Sequence, residues 1–102
     1  MEQAEVFAAL SEPRRRQMLM LVRDEARSVT EIAAHFDISQ QAVSQHLQVL
    51  RGAGLVDVRQ DGQRRLYAIR PEGLGPVRDF LAQLWPAKLQ DLKRAVEGRR
   101  GR

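Results

Sequence analysis

Apolar residues recur along this chain with two different periods. Between Ser28 and Arg51 the period is helical, twice over. Ile32, Ala33 and Phe36 mark a first short helix, and Val43, Leu47 and Leu50 fall at i, i+4 and i+7 on one face of a second. Ser28 and Glu31 form the S-x-x-E pattern of a capping box, so the first helix is predicted to start there. Asp37-Ile38-Ser39 is the expected turn, with Ile38 plugging the corner and Ser39 accepting from the unpaired N–H groups of the second helix. Gly54, just past the last periodic residue, is a helix-stop signal. From Leu55 to Gln60 the period shortens to two: Val56 and Val58 alternate with Asp57 and Arg59, the pattern of a half-buried strand. Asp61-Gly62 is the strongest short-range hairpin turn signal, and Gln63 to Arg70, with apolar Leu66, Tyr67 and Ile69, is the return strand.

The flanks continue in helical period. Glu2 to Leu10 carries Val6, Phe7 and Leu10. Ser11 is positioned to cap a following helix that has Pro13 in its first turn and Met18, Leu21 and Val22 inward. Arg14, Arg15 and Arg16 cluster at its start, either as a solvated face or as phosphate contacts. Pro71 to Pro76 is a break. Beyond it Leu74, Val77, Leu81, Leu84, Trp85, Leu89, Leu92 and Val96 run at helical spacing to about Glu97, and Pro86 is expected to kink or restart that helix. The stripe of Phe80, Leu81, Leu84, Trp85, Leu89 and Leu92 is broader than one small domain covers, which points to a second copy of the chain as partner. The reading is one domain over residues 1–97, mainly α with a small β-hairpin wing. It comprises a helix-turn-helix over 28–51, a wing over 55–70 and a C-terminal dimerisation helix over 73–97. Residues 98–102 read as a disordered basic tail.

Composition narrows the function classes. A length of 102 residues allows one modest core. The absence of cysteine excludes disulfides, thiolate metal sites and thiol redox switches, and fits a reducing cytoplasm. No apolar run is long enough for a membrane span, and the N-terminus, with Glu2 and Glu5, lacks a signal-peptide pattern. The net charge of +4 resides in residues 86–102 rather than in the second helix, so it favours a polyanion only through steering.

The chemistry lies in two polar surfaces. Gln40, Gln41, Ser44, Gln45 and Gln48 gather on the outer face of the second helix, mostly toward its N-terminal end. A helix-turn-helix inserts that end into the major groove. Gln pairs bidentately with adenine, and Ser bonds either kind of base pair. Ser39 and the arginines are expected on phosphates. Arg59, Gln63, Arg64 and Arg65 lie at or near the wing tip, where an arginine can enter the minor groove. The alternative is that Arg59 and Arg65 are only cross-strand surface charges. No nucleophile–base pair, phosphate loop or metal cluster is visible. His35 and His46 have no acidic partner at an obvious spacing, so neither an enzyme nor a cofactor is expected. The competing reading is a winged-helix module that binds a protein partner without specific DNA. The polar helix face and the basic wing count against it.

Several segments now fall in a telling order. They are Leu10-Ser-Glu-Pro-Arg-Arg-Arg-Gln-Met-Leu, Val29-Thr-Glu-Ile-Ala, Ile38-Ser-Gln-Gln-Ala-Val-Ser-Gln-His-Leu-Gln-Val-Leu-Arg-Gly-Ala-Gly-Leu-Val and Asp61-Gly-Gln-Arg-Arg-Leu-Tyr-Ala-Ile. Through them residues 3 to 97 resemble a bacterial ArsR/SmtB-type winged-helix repressor. The resemblance implies a homodimer built from the N- and C-terminal helices, which would add Val6, Phe7 and Leu10 to the interface stripe. It also implies binding to double-stranded operator DNA with inverted repeats, often near the regulator's own gene. It places Gln40, Gln41, Ser44, Gln45 and His46 on the family's DNA-reading positions. Metal-sensing members carry Cys-x-Cys where this chain has Ser28-Val29-Thr30, and hydroxyls do not replace soft thiolates. Other members hold zinc through Asp, His and Glu on the last helix, and residues 73–97 contain no histidine. The resemblance is therefore to a cysteine-free branch with no metal response. Trp85 is expected at the dimer interface, with a small-molecule pocket beneath it as the alternative, and nothing names an effector.

Overall fold

The computed structural model describes residues 2–85. Their elements are α1 (Glu2–Leu10), α2 (Pro13–Leu21), β1 (Arg27–Ser28), α3 (Val29–Ala33), α4 (Gln40–Gly52), β2 (Val56–Asp61), β3 (Arg64–Ile69), a 3-10 turn (Pro71–Leu74) and α5 (Gly75–Leu84). This is the expected mainly helical fold with a hairpin wing. The longer last helix with Pro86, Leu89 and Leu92, and the tail 98–102, lie outside the described residues. Among those described, no helix is long and apolar enough to cross a membrane.

Each helix start follows from its capping residue. Pro13 fills the first position of α2, which puts the cap at Glu12, whose carboxylate accepts from the Arg14 N–H at 2.9 Å. Ser11, expected in that role, instead donates to the Ala8 carbonyl at 2.6 Å and closes α1. At α3 both halves of the capping box form: the Glu31 N–H donates to Ser28 Oγ at 3.2 Å, and the Ser28 N–H donates to Glu31 Oε1 at 2.9 Å. α3 is shorter than its apolar spacing implies. The His35 and Phe36 amides reach back only three residues, to Ile32 and Ala33, so the chain tightens after Ala33 and Phe36 falls in the turn. Phe36 and Ile38 still pack on the core. Ser39 caps α4 by accepting from the Ala42 N–H at 3.0 Å.

The core is a single cluster under the helix-turn-helix. Val43, Leu47 and Leu50 of α4 are fully buried against Ile32 of α3, Met18 and Leu19 of α2, and Val6 and Ala9 of α1. Leu19 takes an inward place not foreseen for it, while Leu21 is half-buried. α4 ends in a Schellman motif. The Leu55 N–H donates to the Leu50 carbonyl at 2.9 Å, the Gly54 N–H donates to Arg51, and Gly54 adopts φ +78.

The sheet has three strands in the order β1-β3-β2, both pairings antiparallel. β1 was not expected, because two residues, Arg27 and Ser28, are too few to show an alternation. Its pairing of Ser28 with Leu66 fixes the start of α3 beside the wing. β2 and β3 pair from Val56–Ile69 out to Asp61–Arg64, so the loop residues are Gly62 and Gln63. Only Gly62 has positive φ, +64, the pattern of a type II′ turn. Asp61 therefore ends the ladder instead of occupying the centre of the turn. After the wing, the Arg70 N–H donates to the Leu55 carbonyl at 2.9 Å and the 3-10 turn lies against the α4–β2 corner. The approach is so close that a Cβ on Gly73 would stand 2.0 Å from the Gly54 carbonyl oxygen.

Candidate nucleic-acid interface

With Val43, Leu47 and Leu50 turned inward, the helical period turns Gln40, Gln41 and Gln45 outward, and all three are exposed; Ser44 is half-buried. Ser39 is exposed, with its hydroxyl oxygen already accepting from Ala42. Gln48 leans toward the sheet and donates through Nε2 to the Tyr67 hydroxyl at 3.4 Å, tying α4 to β3.

His46 departs from this face. Its ring is about one-fifth exposed and turned toward α2. Arg15 Nη1 lies 3.2 Å from His46 Nδ1. A guanidinium only donates, so Nδ1 accepts, and the ring proton sits on Nε2, facing Glu12 Oε2 at 3.9 Å. Arg15 also donates from Nε to the Ala9 carbonyl at 2.7 Å and from Nη2 to Ala8 at 3.2 Å, while Arg16 Nη1 donates to Leu10 at 2.6 Å. Two residues of the basic cluster thus close the C-terminus of α1, where the helix dipole favours cations. Arg14 and Arg16 are exposed, as on a solvated face, whereas Arg15 is half-buried. The acidic neighbour of His46 was not visible in the sequence because α2, β1 and α3 lie between Glu12 and His46. Glu12 is held below its ordinary value, chiefly by the Arg14 N–H and then by the guanidinium charges of Arg14 and Arg15.

On the wing, Arg59, Gln63, Arg64 and Arg65 are all exposed. Pairing splits them between faces. Arg59 opposes Leu66 and Arg64 opposes Asp61 on one face, whereas Arg65 opposes Gln60 on the other. Arg64 Nη2 donates to Glu31 Oε1 at 2.6 Å, across 33 residues of sequence. Glu31 is held below its ordinary value by the Ser28 N–H first, then the Ser28 hydroxyl, then Arg64. Among the described residues, Arg59 and Arg65 have no ion-pair partner, and no three His, Asp or Glu side chains come together in a way that would hold a metal ion.

A second surface is apolar. Phe7 of α1 and Phe80 of α5 meet edge to face, with centroids 5.6 Å apart, and both remain exposed together with Leu81 and Leu84. An open groove of about 590 Å³ is lined by Leu74, Val77, Arg78, Leu81, Ala82 and Trp85. Val6, expected on this surface, is 2% exposed and belongs to the chain's own core, and Leu10 is half-buried against that core.

The chain has counterparts among known proteins. The family model for bacterial regulatory proteins of the arsR family matches residues 12–58. The HTH-type transcriptional regulator Rv2034 of Mycobacterium tuberculosis is 35% identical over 91 residues, covering 89% of this chain and 85% of that protein. A crystal structure of a possible transcriptional regulator for arsenical resistance shares 40% identity, covers 93% of this chain and 96% of its own, and superposes with a TM-score of 0.70. The homodimeric winged helix-turn-helix DNA-binding domain of Mb0332 from Mycobacterium bovis shares 31% identity over 81% of this chain and 77% of its own, with a TM-score of 0.67. With the capped reading helix, the hairpin wing and these counterparts in place, the chain belongs to the bacterial ArsR family of winged helix-turn-helix, DNA-binding transcriptional regulators.

Proposed function

We propose that this regulator is a homodimeric repressor that reads an inverted-repeat operator through α4 and the wing, with its own promoter among its targets, and that it acts without a metal switch. The observation that supports this reading most directly is the outward face of α4. Gln40, Gln41 and Gln45 stand exposed opposite the fully buried Val43, Leu47 and Leu50, so the apolar core rigidly presents neutral hydrogen-bonding groups suited to adenine edges. Ser39 and the wing residues Arg59, Gln63, Arg64 and Arg65 supply backbone contacts that set register, while the glutamines and Ser44 select bases. His46 serves the reading helix from behind, through Arg15 and Glu12. The exposed patch of Phe7, Phe80, Leu81 and Leu84, with Trp85 beside it, takes the second copy. Repression is steric: a dimer on the promoter excludes polymerase. The chain has no cysteine, His46 is engaged by a guanidinium, and among the described residues no three His, Asp or Glu side chains gather to hold a metal ion.

The test is fluorescence anisotropy with the DNA upstream of the regulator's own gene and with a scrambled duplex, at several salt concentrations. A specific operator is bound roughly 10³-fold or more tighter than the scrambled sequence, with two protomers per site. Gln45→Ala then costs about 1–3 kcal/mol on the operator, and added zinc changes nothing. Equal, weak and steeply salt-dependent binding to both duplexes would favour the protein-partner reading instead.

A further inference from the structure

We propose that Glu31 is a specificity-determining residue: it holds the wing arginine Arg64 away from DNA until the wing is seated, and so suppresses binding to non-operator sequence. This rests on the DNA-binding reading above and assigns a role to a residue outside the reading helix.

The backbone dictates the encounter. Ser28 of β1 pairs with Leu66 of β3, so the first turn of α3 lies two residues along the strand from Arg64. Glu31 is already oriented when Arg64 meets it. Its Oε1 accepts from the Ser28 N–H at 2.9 Å, while its own N–H donates to Ser28 Oγ at 3.2 Å. Arg64 Nη2 then donates to the same oxygen at 2.6 Å. Exposed ion pairs are usually weak, because two mobile side chains must be ordered to make them. Here the capping box has ordered one partner in advance. The carboxylate is also kept ionised, as its depressed pKa shows.

Of the three arginines toward the wing tip, Arg64 is so engaged, and Arg59 and Arg65 stay available for the counterion-releasing contacts of loose association; Arg70, at the base of the wing, pairs with Asp57 and Glu72. A loosely associated duplex offers phosphates at no fixed place, and these do not displace a carboxylate already seated. A seated operator holds a phosphate or the minor-groove wall at a fixed place beside the wing, and Arg64 exchanges partners.

The discriminating variant is Glu31→Gln. Glutamine is accepted in the same capping box, so α3 keeps its start while the charge disappears. With a scrambled duplex as probe at 0.1 M salt, the variant is expected to bind about fivefold to tenfold tighter than wild type. Its salt slope should be steeper by about one counterion, the signature of one added phosphate contact. Its operator affinity should change by less, so the ratio of operator to scrambled binding falls several-fold. In an Arg64→Ala background the Glu31→Gln gain should shrink below twofold. An unchanged circular-dichroism spectrum at the assay temperature, with melting still cooperative, shows that the cap has survived.

Persistence of the full gain in the Arg64→Ala background would overturn the proposal, since Glu31 would then repel DNA by itself, and the DNA-binding reading would stand. Weaker binding by Glu31→Gln to both duplexes would also overturn it, making Glu31 a residue that aims Arg64 at DNA. Wild-type protein that binds neither duplex would sink the DNA-binding reading along with it.

Discussion

Glu12 and Glu31 each accept from a backbone N–H at the start of a helix, and this fixes how the fold responds to acid. Both carboxylates titrate lower in the folded chain than the ordinary value of 4.5, Glu12 mainly through the Arg14 N–H and Glu31 mainly through the Ser28 N–H. Each contribution to stability is therefore whole above that value and is lost as the pH falls through the lower folded value. Thermal melts should give a flat midpoint from neutral pH to about 5 and a falling one below it. Glu12→Gln should flatten that acid limb; an unchanged limb would show that Glu12 does not contribute. At this scale the sequence was legible wherever a partner is local. The capping box spans three residues, as does the bond from Ser39 to the Ala42 amide. It was illegible where a partner is remote: Arg15 gives no sign in sequence that it will reach both Ala9 and His46. Proline at the first position of α2 moved the cap from Ser11 to Glu12, a one-residue difference that a list of good capping residues does not decide.

The elements themselves were legible in proportion to the length of their pattern. α4, with three apolar residues over two turns and a glycine stop, starts at its expected cap, Ser39, and ends one residue past the expected Arg51. β1, two residues long, carries no period and was missed. The wing was found, but its turn was framed one residue early, because Asp-Gly signals a hairpin without saying which residue is the first of the loop. The segment Pro71–Pro76 read only as a break. In the structure it is a packed element whose 3-10 turn presses Gly73 onto the Gly54 carbonyl, a contact invisible without the fold. Gly73→Ala should therefore destabilise the chain by about 2 kcal/mol, typical of forcing a methyl into filled space. The check is the urea midpoint, which should fall with the slope unchanged. A midpoint equal to wild type would show that the corner yields freely.

For the whole molecule the open matter is the apolar patch that one chain leaves uncovered. Phe80 is half-exposed while meeting Phe7 edge to face, so it belongs both to the packing of α1 on α5 and to the face assigned to a second copy. Phe80→Glu should shift sedimentation from dimer to monomer and lower operator affinity by more than tenfold, since each half-site then binds alone. A variant that remains dimeric would move the contact away from this face.

In the dimer proposed above, Arg15 ties the assembly to the reading of sequence. One guanidinium grips the last carbonyls of α1 and, with its remaining arm, a ring on α4. These bonds gear the two helices to each other, so that a tilt of α1 is felt at α4. In a pair of copies joined through α1, the gap between the two reading heads becomes a caliper opening. Its setting is transmitted through this gear, and the spacing of half-sites it accepts is calibrated at the joint between the copies, far from any base.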